Sequence, residues 1–125
     1  MLAYSTIGVN HMAQSVVFYD AVFAPLGVTR DTTSKTWTGY SRAGESARFF
    51  LITPQEGGAA TAGNGAMLAV LAPDRAAVDA FYAAVLEQGG AAEREPGVRE
   101  GPGPAAYAVC VRDLDGNELC ALAPV

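Results

Sequence analysis

Ser15-Val16-Val17-Phe18-Tyr19-Asp20-Ala21-Val22 carries a core that the chain uses again. At an offset of 63 residues, the distance from Phe18 to Phe81, it matches Phe81-Tyr82-Ala83-Ala84-Val85. The same offset sets Ala13 on Ala76 and Gly27 on Gly90. A repeat of this length marks two copies of one supersecondary unit. Within each copy the apolar residues recur at helical spacing: Ser15, Phe18, Tyr19, Val22, Phe23 and Leu26, then Val78, Phe81, Tyr82, Val85 and Leu86. Each stretch therefore predicts an amphipathic helix laid on a sheet. Gly27 and Gly89-Gly90 stand where a left-handed residue ends a helix. Asp74 is a good N-cap for the second helix, and His11 a poorer one for the first.

Working outward, each helix is preceded by a short apolar run flanked by turn residues, 3–9 and 66–72, which reads as a strand. Further strands are predicted over 28–32, 35–42 and 47–53 in the first half. In the second half they fall at about 91–94, 105–112 and 117–122. Asp113-Leu114-Asp115-Gly116 joins the last two with a hairpin signal. The layout is β-α-β-β-β, twice, within one domain of 125 residues. Module 1 covers about 1–53, a Gly-, Ala- and Thr-rich linker 54–65 that would also serve as a flap, and module 2 about 66–125. Pro96 to Pro104, rich in Gly and Pro, is expected to be an irregular loop.

Half of the residues are apolar, enough for a core, and the net charge is −5 with its acids scattered. Eight Lys and Arg residues form no basic stripe, so nucleic acid is not the expected partner. No apolar run approaches a membrane span, and Met1 to Val9 lacks the features of a secretion signal, so a cytoplasmic location without a membrane partner is expected.

The paired modules, Ser15-Val16-Val17-Phe18-Tyr19 in the first helix, the run from Ala72 to Phe81, and Asp113-Leu114-Asp115-Gly116-Asn117-Glu118-Leu119 together resemble the vicinal oxygen chelate superfamily. That superfamily contains glyoxalase I, extradiol dioxygenases and bleomycin-resistance proteins. The last stretch is similar to the "Asp-Pro-Asp-Gly-Asn" final turn of its small bacterial members. The resemblance spans nearly the whole chain and implies an α+β fold of two βαβββ modules. Their sheets would form a pair of curled half-barrels, with helices outside and a concave cavity inside. It is specific for fold and weak for reaction.

In metal-dependent members two histidines and a glutamate point into the concave surface, joined in some by a further ligand from module 1. Those positions fall on Tyr4, Met67 and Cys120, and the predicted fourth strand holds no carboxylate or histidine. Tyr4 and Met67 are themselves related by the repeat offset, which supports the alignment. A phenol and a thioether supply almost no affinity for a borderline or hard divalent ion, so no metal or other cofactor is expected. His11, the single histidine, reads as a solvent-facing residue where the helix begins. Glu118 lies on the same face as Cys120 but, following a tight turn, reads as solvated.

Strand alternation turns Tyr4, Thr6, Met67, Ala69, Leu71, Ala106, Ala108, Cys110 and Cys120 inward, and Ser5, Ile7 and Val9 toward the helices. Such a lining suits an organic ligand with apolar bulk. Trp37, Tyr40, Arg42, Arg48 and Arg99 are candidates to stack on or pair with an anionic aromatic ligand. For each of them, core packing or solvation is the plainer reading. Cys110 and Cys120 face each other across the last hairpin. The plainest reading is two small buried thiols, with a disulfide disfavoured in a reducing compartment. A Cu(I) site of Cys110, Cys120 and Met67 fits sulfur-ligand preferences but is the lesser reading. Tyr4 and Cys120 are weak catalytic candidates, because no base stands beside either.

Three functions follow. The leading one is a metal-independent binder of a small organic molecule. The second is an enzyme, lactoylglutathione-lyase-like or dioxygenase-like, with an atypical or metal-independent site. The third is an interaction module with a vestigial pocket. A homodimer is the expected assembly.

Overall fold

A computed structural model describes residues 1–125. Module 1 runs β1 (Tyr4–Gly8), α1 (Met12–Phe23), β2 (Val28–Thr33), β3 (Trp37–Arg42) and β4 (Arg48–Ile52). Module 2 runs β5 (Leu68–Leu71), α2 (Arg75–Glu87), β6 (Ala91–Gly101), β7 (Gly103–Arg112) and β8 (Glu118–Pro124). The two four-stranded sheets share one topology, β1-β4-β3-β2 and β5-β8-β7-β6, with the first pair parallel and the rest antiparallel. Neither sheet closes, so the doubled layout read from the repeat and the α+β architecture of paired, curled half-barrels implied by the resemblance are both present.

The helices form where the apolar spacing placed them. In α1 it is Ser15, Phe18, Tyr19, Val22 and Phe23 that are buried, and in α2 Ala77, Val78, Phe81 and Val85. Asp74 caps α2 by accepting the Ala77 N–H at 2.8 Å, whereas His11 caps α1 with no side-chain bond. After α1 a single 3-10 turn, Ala24–Leu26, carries Pro25, and Gly27 at φ 73° redirects the chain into β2. Both helices and both sheets meet in one cluster of 20 buried apolar residues, so the modules share a core. Burial of each of its large side chains contributes about 1.5–3 kcal/mol.

A polar latch joins the modules through the final turn. Asp113, only 6% exposed, accepts the Tyr19 hydroxyl at 2.5 Å, the backbone N–H groups of Asp115 and Asn117, both at 2.9 Å, and Asn117 Nδ2 at 3.0 Å. Asn117 Nδ2 also donates to the Gly8 carbonyl at 3.1 Å, at the end of β1. Burial, followed by the Asp113 carboxylate, pushes the Tyr19 phenol well above its ordinary pKa. Asn10 adds two donations to Asp115 Oδ1 and exchanges hydrogen bonds with the backbone of Ala60.

Two expectations change, for Pro96 to Pro104 and for Tyr40. Pro96 to Pro104 forms the outer arms of a long β6–β7 hairpin, with Gly97 opposite Ala108 and Arg99 opposite Ala106. Register shifts flank the Pro96 region, and β6 is an edge strand, where proline costs the sheet no hydrogen bond. The 54–65 segment is joined to the end of β1 through two hydrogen bonds between Asn10 and its buried Ala60. Tyr40 points to the helices: it is fully buried and donates to Asp20 Oδ1 at 2.9 Å.

Candidate functional site

The register shows which side chains share the concave face. In the parallel β1–β4 pair Tyr4 lies opposite Arg48 and Thr6 opposite Phe50, and in β3–β4 Trp37 lies opposite Ile52 and Gly39 opposite Phe50. The intervening residues Ile7, Thr38, Tyr40, Phe49 and Leu51 point the other way, into or against the core. Tyr4, Thr6, Trp37, Gly39, Arg48 and Phe50 therefore form one open surface.

Phe50 is its centre. The Tyr4 and Trp37 rings meet it edge-on, with centroids at 5.5 and 5.3 Å, and the Arg48 guanidinium lies 4.6 Å from its ring centre. Gly39 leaves the room beneath: a Cβ there would come within 2.7 Å of Arg48 Nη2 and 2.8 Å of Phe50 Cε1. A register shift between Arg30 and Thr32 turns Asp31 to the same side, where it pairs with Arg48. The hydrogen bond from Ser41 (2.6 Å), then those from Arg48 and Thr32, hold the Asp31 carboxyl below its usual range. Both bonds that Arg48 makes run through Nη2, to Asp31 and Thr32, so Nε and Nη1 are free to meet a ligand.

Module 2 presents a different chemistry. Ala69 lies opposite Cys120, Ala108 opposite Leu122, and Cys110 opposite Cys120. Ala108 and Cys120 are buried, whereas Met67, just before β5, is 55% exposed and Leu71 67%. The Cys110 and Cys120 sulfurs are bonded to each other, which corrects the reading of two free thiols. Directly opposed positions on one face of a hairpin bring such a pair together. Met67 Sδ lies 3.2 Å from Cys120 Sγ.

Glu118 is held rather than solvated. Its side chain is 22% exposed and 3.6 Å from Arg112 Nη2, while Arg112 Nε also binds Glu93 at 3.1 Å. The Arg112 hydrogen bond, then its charge, lowers the Glu93 pKa.

The sheets also locate a fourth position that the sequence did not supply. Thr6 and Ala69 are related by the repeat, and they lie opposite Phe50 and Cys120 respectively. Phe50 is thus the module 1 counterpart of Cys120. Tyr4, Phe50, Met67 and Cys120 place a phenol, a phenyl, a thioether and a disulfide sulfur where imidazoles and carboxylates would be required. This set does not fit a borderline or hard divalent ion. Glu118 lies within 4.8 Å of both sulfurs, but it is one carboxylate already paired to an arginine.

The remaining candidates are elsewhere. Arg42 ties the modules together, donating to the carbonyls of Leu26 and Leu71 and to Glu45. Arg99 folds back on the Glu95 carbonyl, and His11 is exposed. A groove of about 240 Å³ where the modules meet is lined in part by Leu2, Tyr4, Arg48, Ala69 and Leu71. It brings Tyr4 and Arg48 of module 1 to Ala69 and Leu71 of module 2.

Paired βαβββ modules with a common core and an open concave face define a scaffold class. The Glyoxalase/Bleomycin resistance protein/Dioxygenase superfamily model matches residues 2–121, and the chain belongs to that superfamily. It is similar to a glyoxalase/bleomycin resistance protein from Albidiferax ferrireducens T118, at 36% identity and TM-score 0.91, over 98% of both chains. It shares its fold with a glyoxalase/bleomycin resistance protein/dioxygenase family enzyme from Burkholderia phytofirmans PsJN, at 16% identity and TM-score 0.74 over 98% of both chains. Lactoylglutathione lyase from Agrobacterium tumefaciens also shares the fold, at 19% identity and TM-score 0.67, over 98% of this chain and 92% of that one. No curated protein matches the sequence.

Proposed function

We propose that this protein binds a small organic molecule, flat and aromatic in one part and anionic in another, on its concave face without a divalent ion. The observation that carries the reading is the Phe50 surface: an aromatic ring flanked edge-on by Tyr4 and Trp37, beneath an arginine with two uncommitted nitrogens. Aromatic faces bind flat apolar groups, and a guanidinium pairs with a carboxylate in a defined orientation. In the groove where the modules meet, Ala69 and Leu71 of module 2 offer a second wall for the ligand's bulk. The absence of imidazole and carboxylate donors from all four inward positions supports metal-independent binding.

Catalysis is the weaker reading. Tyr4 makes no hydrogen bond that would orient its hydroxyl as an acid or base, and Cys120 is bonded to Cys110. Trp37 is the only tryptophan, so its emission reports on this surface directly. Titration with 2-naphthoate and related aromatic carboxylates in the presence of a chelator should quench it saturably and raise Tm. The proposal fails if no member of such a panel binds, or if binding appears only when a divalent ion is added.

A further inference from the structure

We propose that Cys110, Cys120 and Met67 form, once the disulfide is reduced, a three-sulfur site for a soft monovalent cation, Cu(I). The inference is independent of the organic ligand and of the Phe50 surface. The geometry that carries it is the convergence of three sulfurs on one face of sheet β5-β8-β7-β6. Cys110 and Cys120 are directly opposed across the β7–β8 hairpin, and Met67 Sδ stands 3.2 Å from Cys120 Sγ. Thiolates bind both Cu(I) and Zn(II), but a thioether is a ligand for Cu(I) and not for zinc, and a three-sulfur set without imidazole falls short of zinc's four ligands.

The surroundings favour the same ion. Glu118 is a carboxylate within 4.8 Å of both sulfurs, but it faces the Arg112 guanidinium at 3.6 Å, and as a hard oxygen donor it is poorly matched to Cu(I). Cys120 is 2% exposed, so water has little access to a cation held there. Met67 is 55% exposed, and its unbranched thioether arm is free to swing outward, receive an ion and return it to the thiolates. Oxidised and loaded states exclude each other, because the electron pairs that would bind the ion are committed to the S–S bond. Reduction breaks that bond with two electrons and two protons taken from a dithiol, which is oxidised to its own disulfide. Loading then releases the thiol protons as Cu(I) replaces them.

The test is an anaerobic competition for Cu(I) against the chromogenic chelator bicinchoninate, using protein reduced with dithiothreitol and then freed of it. Reduced wild-type protein should withdraw one equivalent of Cu(I) per chain, and oxidised wild-type protein none. C110S and C120S should each lose binding, with folding checked by circular dichroism. M67L, a change at an exposed position, should weaken binding about tenfold, equivalent to about 1.4 kcal/mol. E118Q should bind as wild type does. The proposal is overturned if reduced and oxidised wild type compete equally, or if M67L binds as tightly as wild type. Loss of binding in E118Q, with Zn(II) displacing Cu(I), would likewise overturn it in favour of a carboxylate-bearing divalent site.

Discussion

Replacing Tyr19 by Phe and Asp113 by Ala, singly and together, measures the latch between the modules. Asp113 accepts four hydrogen bonds at 2.5, 2.9, 2.9 and 3.0 Å in an interior where it is 6% exposed. Tyr19→Phe removes one charge-assisted bond and leaves three, which should cost about 1.5–3 kcal/mol. Asp113→Ala strands the Tyr19 hydroxyl and two backbone N–H groups and leaves Asn117 Nδ2 only its bond to the Gly8 carbonyl, which together should cost about 3–5 kcal/mol. In the double variant the hydroxyl that Asp113→Ala orphans is gone, so the two losses should fall short of their sum by about 1–3 kcal/mol. Urea unfolding followed by Trp37 emission and far-UV circular dichroism gives all three values. The Tyr19→Phe loss corresponds to a Tm fall of roughly 6–12 °C for a chain of this size. Losses that add within about 0.5 kcal/mol would refute the latch as a coupled network.

Gly39→Ala should leave the fold intact but displace Arg48 and Phe50, weakening naphthoate quenching of Trp37 in a fluorescence titration. Gly90→Ala should cost about 1–3 kcal/mol in urea unfolding, because its Cβ would sit 2.8 Å from the Arg112 carbonyl and 2.6 Å from Val85 Cγ1. At high pH, burial and then the hydrogen bond to Asp20 raise the Tyr40 pKa above its unfolded value, and burial and then Asp113 do the same for Tyr19. Their contribution is complete below an unfolded pKa of about 10 and is lost as pH climbs beyond it. Unfolding midpoints should therefore fall above that pH, and fall less in Tyr40→Phe than in wild type. The expected homodimer is checked by sedimentation equilibrium, where a single-chain mass would refute it.

The fold was legible because the repeat puts the same physics in two places. Phe18-Tyr19 and Phe81-Tyr82 each predict a helix, Gly89 takes the positive φ just past the end of α2, and Gly27 takes it at the end of the 3-10 turn that follows α1. What escaped depends on pairing between strands. In β3, Trp37 and Tyr40 are three residues apart, so alternation alone sends them to opposite faces but does not say which faces inward. Register with β4 decides it, placing Trp37 beside Ile52 and Tyr40 beside Phe49. The centrality of Phe50 was hidden for the same reason. Its signal was present in Arg48, Phe50 and Ile52, a same-face triplet on the strand beside Tyr4. The opposition of Cys110 and Cys120 is legible in the hairpin, but their bond is not, because it depends on redox environment as well as on proximity.

The equivalence of Phe50 and Cys120 gives the concavity a head and a tail. Two copies of one backbone unit share a core, yet one presents rings and a cation while the other presents sulfur and methyl groups. A guest spanning both halves would meet unlike surroundings at its two ends, so turning it around would exchange every favourable contact for a poor one. The repeat supplies a symmetric frame, and unlike residues at its paired positions would let it tell left from right in such a guest.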